Sequence, residues 1–282
     1  MNQSLKSART FCSRFALAPH LGVLGVVAAA ALAGGKLHAA DQAPVTSETP
    51  SADLKELSDP TVLKSRMWLE TEWNKFEDGR SVVEETLGTL WAWRVSANQD
   101  FAVRLKLPVK FRFGSDDPTV SDIGGLGDIK IAAGTAVRLS DIWRIGGGLD
   151  LQMPSGRHDL SDNVWRVQEF LAMGVDITPW LTFSPSAEYN QSFAEEGGAS
   201  SQHYLETYVP FTFLLPRKWA ITLAYENKTD FENGSRFTNR AKIGVAKELE
   251  NVPLSFALSA KREFDGSDKE FQVNFVVSYY FR

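Results

Sequence analysis

The chain has 282 residues, 43% of them hydrophobic, 11% aromatic and 23% charged, with a formal net charge of −5 and a single cysteine. This composition excludes a disordered tail and a collagen-like repeat. A mean hydropathy of −0.20, with no apolar run of the roughly 18 residues a spanning helix needs, excludes a helical multi-pass membrane protein, but not a membrane β-barrel, whose lipid-facing residues alternate with polar ones.

Residues 1–40 have the three parts of a secretory signal peptide: basic Lys6, Arg9 and Arg14, apolar Leu21–Ala33, and small Ala39 and Ala40 at the cut. An uncleaved N-terminal anchor is the alternative for the same residues. Cys12 lies inside this segment, so a processed chain has no disulfide, thiolate nucleophile or thiolate metal site. Four of the 30 Lys and Arg precede Asp41 and none of the 35 Asp and Glu does, which leaves a processed net charge of −9. Such an acidic exported chain is a poor partner for nucleic acid. Residues 41–65 are polar, carry Pro44, Pro50 and Pro60, and lack sustained periodicity. They read as a flexible periplasmic lead-in with a short helical turn around Ala52–Leu57.

From 66 to 282 the chain alternates with period two. Met67, Leu69, Thr71 and Trp73 alternate with Glu70 and Glu72, and Val83, Leu87, Trp91 and Trp93 with Glu84, Thr86 and Arg94. The clearest stretch is Phe101–Phe113, whose odd positions are all apolar and whose even positions include Arg104, Lys106, Lys110 and Arg112. Successive strand side chains point to opposite faces, so this is a strand about 40 Å long with one greasy and one basic face. The pattern repeats around Ile129–Leu139, Trp143–Leu151, Val167–Ile177, Leu181–Tyr189, Leu205–Phe213, Trp219–Tyr225, Phe237–Val245, Leu254–Leu258 and Phe271–Phe281. That makes twelve strands, an even number. Pro108, Pro185 and Pro210 fall inside strands, where each lacks a ladder donor and predicts a bulge or break. Glu85 and Glu169 fall on the apolar face and are expected near a rim.

The connections alternate too. Ser140–Ile142, Thr178–Pro179, Leu215–Lys218 and Leu249–Pro253 are short, whereas Gly114–Leu126, Pro154–Val164, Ala194–Ser201 and Thr229–Gly234 are longer, acidic and Gly-rich. Short turns at one end and longer loops at the other is the outer-membrane barrel layout, with both termini on the short-turn, periplasmic side. Trp91, Trp93, Trp143, Trp180, Trp219 and Phe281 cluster at the short-turn end and Trp73 and Trp165 near the long-loop end, as two aromatic girdles would. The expected fold is all-β: a transmembrane antiparallel up-and-down barrel of about twelve strands, whose partners are the lipid bilayer, the insertion machinery and a small-molecule solute. A soluble pair of packed sheets is the rival. It has no need of strands this long or of aromatic bands at both ends, and a closed soluble barrel of this girth is too wide for side chains to fill.

Gly124-Gly125-Leu126-Gly127-Asp128-Ile129, then Leu149-Asp150-Leu151-Gln152-Met153-Pro154-Ser155-Gly156, then Gly174-Val175-Asp176 before a Thr-Pro-Trp turn, follow one another in an order that resembles the outer-membrane barrel family of the MetA pathway of phenol degradation. The likeness runs over roughly Leu107–Phe213 and rests on short, glycine-based motifs. It implies a barrel and a role in uptake of small, in part aromatic, compounds, and it supplies no catalytic residues. One departure is the C-terminus: barrels of this kind end on an aromatic residue, whereas here Phe281 is penultimate and Arg282 is last.

Alternation assigns to the lumen the bases Arg104, Lys106, Lys110, Arg112, Lys130, Arg138, Arg144, Arg166, Arg240 and Lys242, and the acids Glu84, Asp128, Asp150 and Glu206. Enclosed charges must pair or hydrate. They serve either as a ladder that holds the wall or as a polar path that sets selectivity, with the basic stripe of Phe101–Phe113 attracting anions. The leading reading is passive uptake of small molecules, aromatic or anionic, without enzymatic activity, cofactor or metal. Two alternatives stay open. A structural or adhesive barrel would use the acidic loops at Asp116, Asp117, Asp122, Asp159 and Asp162, which lack a defined calcium-ligand loop. A lipid hydrolase would need His158 or His203 beside a serine. Gly146-Gly147-Gly148 lies mid-strand with no helix after it, so it is a packing feature and not a phosphate loop.

Overall fold

A computed structural model describes Lys55 and residues 59–113, 122–157, 159–232, 234–264 and 269–281. The signal segment, most of the lead-in, His158, Asp116 and Asp117 lie outside the described residues. The strands are β1 Arg66–Phe76, β2 Ser81–Ser96, β3 Gln99–Phe113, β4 Ile123–Leu126, β5 Ile129–Arg138, β6 Trp143–Met153, β7 Val164–Thr178, β8 Leu181–Phe183, β9 Ser186–Glu195, β10 His203–Leu215, β11 Trp219–Asp230, β12 Arg236–Glu248, β13 Leu254–Glu263 and β14 Lys269–Tyr280. Each pairs antiparallel with its neighbours, and β1 pairs with both β2 and β14, so the sheet closes on itself. β4 with β5, and β8 with β9, are halves of interrupted staves, and the wall is a barrel of twelve.

The prolines explain both interruptions. In an antiparallel strand the N–H and C=O of one residue point to the same neighbour. The Pro108 carbonyl accepts from Gly127 N at 2.9 Å, so its missing donor faces the gap between β4 and β5. The Pro210 carbonyl accepts from Ser184 N at 3.3 Å, so its missing donor faces the gap between β8 and β9, where Pro185 removes another. Pro185 thus breaks its own strand, whereas β3 and β10 run on through their prolines and the adjacent stave breaks instead. The sequence places Ile123–Leu126 in a long loop, but the structure makes it β4, paired with Val109–Arg112. Gly124 permits this, because a Cβ there would lie 2.7 Å from the Phe111 ring.

Inside and outside are inverted relative to a water-soluble protein. Leu69 is 51% exposed and Ile243 56%, whereas Asp150 and Gln152 are each 3% exposed. Along β6 the exposed Trp143 and Leu149 alternate with buried Arg144, Asp150 and Gln152. No helix among the described residues is long and apolar enough to cross a membrane. In hydrocarbon the exposed apolar wall is favourable, and the closed ladder leaves no unsatisfied edge. A cation at the exposed Leu223, Leu223→Arg, should therefore cost about 2–4 kcal/mol if the site lies near the bilayer midplane. Urea titration of protein folded into phospholipid vesicles measures it, and Thr222→Arg on the inner face should cost clearly less.

Candidate functional site

The site is the lumen, and it is organised in tiers along the barrel axis. At the short-turn end the chain before β1 runs inward. Asp59 is fully buried, its Oδ1 accepting from Thr61 N at 2.9 Å in an Asx turn that the Asp59-Pro60-Thr61 sequence favours. Arg144 of β6 gathers this turn: Nη2 donates to Asp59 Oδ2 at 2.9 Å, Nε to Thr61 Oγ1 at 3.3 Å, and Nη1 to Asp176 Oδ2 of β7 at 2.8 Å. Lys55 Nζ lies 3.1 Å from Asp176, and Thr182 Oγ1 donates to its other oxygen at 2.9 Å. Two glycines make room. A Cβ on Gly174 would lie 2.6 Å from Asp59 Oδ2, and one on Gly146 3.5 Å from the Thr61 methyl. The turn lies in the segment that the sequence reads as a flexible lead-in, and no local pattern there says which inward glycines it meets.

Above the docked turn lies a cavity of about 430 Å³. Pro60, Val62 and Leu63 form part of its wall with Leu90 and Phe170, while Arg104, Lys242, Arg240, Glu188, Glu206 and Tyr208 give it a polar side. Phe170 projects inward because Gly134 and Gly148 are bare: a Cβ on either would lie within 3 Å of its ring. The glycine triplet is thus a packing device. Charges here are paired across strands, Arg104 with Asp150 at 2.6 Å, Lys106 with Glu70 at 4.0 Å and Lys261 with Glu226 at 2.8 Å. Arg240 bridges Glu263 at 2.8 Å, Glu206 at 3.4 Å and Glu226 at 3.9 Å. Lys242 Nζ sits 5.4 Å from the Tyr208 ring centre. Neither it nor Lys130 is ion-paired with a described carboxylate; Lys130 lies opposite Lys106 in the ladder.

The long-loop tier is held by Asp128, which is buried in the gap between β4 and β5. Its carboxylate accepts from Ser161 Oγ at 2.5 Å, Asp162 N at 2.8 Å, Gln152 Nε2 at 3.1 Å and Gly156 N at 3.3 Å. Asp128 therefore anchors the connection between β6 and β7. Arg166 bonds Gln152 and Gln202 and lies 3.6 Å from Asp162. Lys110 lies 3.5 Å from Glu84, and Arg112 lies at the same end of β3. Arg138 keeps the inward parity of β5 but is exposed at the short-turn mouth, opposite Arg144.

Trp91, Trp93, Trp143, Trp180 and Trp219 are exposed at the short-turn end and Trp73 at the other. Trp165 is half-buried, its Nε1 donating to Glu196 at 3.1 Å, and Phe281 is half-buried just past β14. The eighth tryptophan, Trp68, points into the lumen and lies over Gly88, where a Cβ would collide with its ring. Glu85 sits on the outer face within reach of Thr71 Oγ1 at 2.8 Å, and Glu169 lies mid-β7 opposite Tyr189. His203 is bonded to the Tyr189 hydroxyl and packs on Phe231. Among the described residues no three metal-ligating side chains converge.

The fold is similar to that of an outer-membrane channel from Pseudomonas putida F1, with a TM-score of 0.68 and 13% identity over 78% of this chain and 96% of that one. It is also similar to the NanC porin, with a TM-score of 0.51, 10% identity and 77% and 99% coverage. The translocator domain of the autotransporter NalP from Neisseria meningitidis gives a TM-score of 0.51, 14% identity and 93% and 96% coverage. No family model matches the chain, and neither does any curated protein. The likeness is one of fold: the chain is an all-β barrel of the outer-membrane type.

Two outcomes follow from this geometry. Arg144→Ala strands the buried Asp59 carboxylate and should undock the turn, as should Gly174→Ala, which changes no charge. Trypsin cleavage after Lys64 of the folded barrel, slow in the parent and fast in both variants, measures this. The second concerns pH. Burial disfavours the Asp162 carboxylate, but the Gln152 amide and the charges of Lys110, Arg166 and Lys130 outweigh it and hold the group below its usual range. A carboxyl depressed on folding contributes stability above its unfolded value of about 3.9, and that stability is lost as pH falls through the lower folded value. Amide exchange in the β6–β7 connection, corrected for intrinsic rates, should be flat from neutral down to about pH 4 and rise below it; Asp162→Asn should abolish that rise.

Proposed function

We propose that the chain is a channel of the Gram-negative outer membrane, exported by residues 1–40, inserted by the outer-membrane assembly machinery, and passing small solutes down their gradient. One observation carries this reading: an apolar outer wall encloses a charged interior that holds a cavity of about 430 Å³. A purely structural barrel gains nothing from keeping such a space open among charges that cost energy to enclose. The fold's likeness to an outer-membrane channel supports the reading.

The two-sided cavity favours solutes with an apolar body and an anionic group. Phe170, Leu90, Val62 and Leu63 suit an aromatic or aliphatic part, and Arg104, Lys242 and Arg240 suit a carboxylate. The glycine-based motifs that resemble the MetA phenol-degradation barrels point to the same solutes. In this proposal Arg104, Lys106, Lys110, Arg112 and Lys130 form the selective stripe, while Arg144, Arg166 and Asp128 hold the wall and its inserts. Reversal potentials across planar bilayers in a salt gradient test it. The parent channel should prefer anions, and Arg104→Glu with Lys106→Glu should lower that preference several-fold without loss of folding. Unchanged selectivity would discard the role of the stripe. Equal uptake of labelled aromatic acids by cells with and without the gene would discard the channel.

A further inference from the structure

The outer wall carries a depression of its own. Ladder register fixes one lateral row of outward residues near the long-loop end: Val209 of β10 lies opposite Tyr225 of β11, Tyr225 opposite Ala241 of β12, and Ala241 opposite Arg262 of β13. One step beyond the last β13–β14 pair, Lys261 with Gln272, Arg262 meets Phe271, which is opposite Lys75 of β1. Phe271 is thus flanked by two cations on the outer face. The next row toward the periplasm is Phe211, Leu223, Ile243, Ala260, Val273 and Trp73. Ala241 and Ala260 are the small members of these rows, and between the larger side chains they leave an apolar groove of about 530 Å³. Arg262 stands at its upper end, exposed. The Lys75 ammonium reaches only the Gly79 carbonyl, and neither cation is ion-paired with a carboxylate among the described residues.

We propose that this groove binds a phosphate-bearing acylated lipid of the outer leaflet, with one acyl chain over Ala241 and Ala260 and the phosphate between Arg262 and Lys75. Charge complementarity selects the occupant. A guanidinium and an ammonium at the upper edge of a hydrocarbon-facing groove lose hydration there, and an anionic headgroup whose own chain fills the depression restores their partners. The Tyr225 hydroxyl, which donates to Asn239 Oδ1 at 2.5 Å, adds a polar rim at the same height. The inference rests on the bilayer-facing reading of the wall and is independent of what crosses the lumen.

The test uses the full processed chain, refolded and purified in a zwitterionic detergent, with lipid A and phosphatidylcholine offered separately and bound lipid counted by native mass spectrometry. The parent should retain lipid A in clear preference to phosphatidylcholine. Lys75→Gln with Arg262→Gln should lower that retention roughly tenfold or more, and Ala260→Phe should lower it with both cations in place. Equal retention of the two lipids, or undiminished retention in both variants, would overturn the site. So would inorganic phosphate displacing lipid A at equal concentration, since the groove would then contribute nothing. A dimer that Ala260→Phe dissolves, with lipid retention unchanged, would reassign the groove to a second copy of the chain and likewise overturn the site. Heat-modifiable migration and insertion into vesicles separate the premises: a chain showing neither overturns the bilayer-facing reading itself, whereas an inserting barrel that binds both lipids alike overturns the lipid site alone.

Discussion

Backbone hydrogen bonding without water is the constraint from which the rest of this molecule follows. In hydrocarbon each unpartnered amide is costly, so a sheet that crosses must close, and here the closing seam is the ladder between β1 and β14. Closure forces period-two alternation to sort side chains by solvent. The face toward acyl chains becomes Leu, Ile, Val and aromatic, and the enclosed face collects what acyl chains reject. The lumen charges are therefore a consequence of the wall before they are anything else. Cross-strand pairs such as Arg104 with Asp150 and Lys261 with Glu226 let a narrow interior hold them.

Within that frame the interior is not uniform. Bare glycines on one arc admit two intrusions: Gly134 and Gly148 admit the Phe170 ring, while Gly146 and Gly174 admit the Asp59–Thr61 turn. The result is a cavity with an apolar flank inside a charged barrel. The same economy of space governs the prolines: the absent donors of Pro108 and Pro210 face the two broken staves, and Pro185 lies in the break of one of them.

The wall was legible in the sequence because its signal is periodic. Residues such as Phe101–Phe113 state their faces without any knowledge of the partner strand, and the connections at Ser140–Ile142 and Thr178–Pro179 mark where the chain reverses. β4 was not legible, because its two glycines say loop unless one knows that Lys110 and Phe111 lie across from them. The roles of individual charges were only half legible. Parity puts Arg144, Asp128 and Arg104 on one face, but only the three-dimensional neighbours separate an anchor for the lead-in, a staple for a loop and a member of a cross-strand pair. The outer groove was invisible for the same reason, since Ala241, Ala260 and Arg262 lie on two strands and acquire meaning only through register.

The docked turn also bears on how the molecule is assembled. Asp59 and Thr61 lead directly into the first stave, while the arginine that receives them lies on the sixth element. Phe281, just past the last stave, donates its amide to the Ser65 carbonyl at 3.1 Å, so the end of β14 meets the segment that leads into β1 where the turn enters. The buried carboxylate finds its counter-charge only when the sheet has wrapped far enough to carry β6 across from β1. The contact is thus a built-in report of curvature: a flat or misregistered sheet leaves a naked aspartate at the short-turn end, and the wrapped sheet neutralises it.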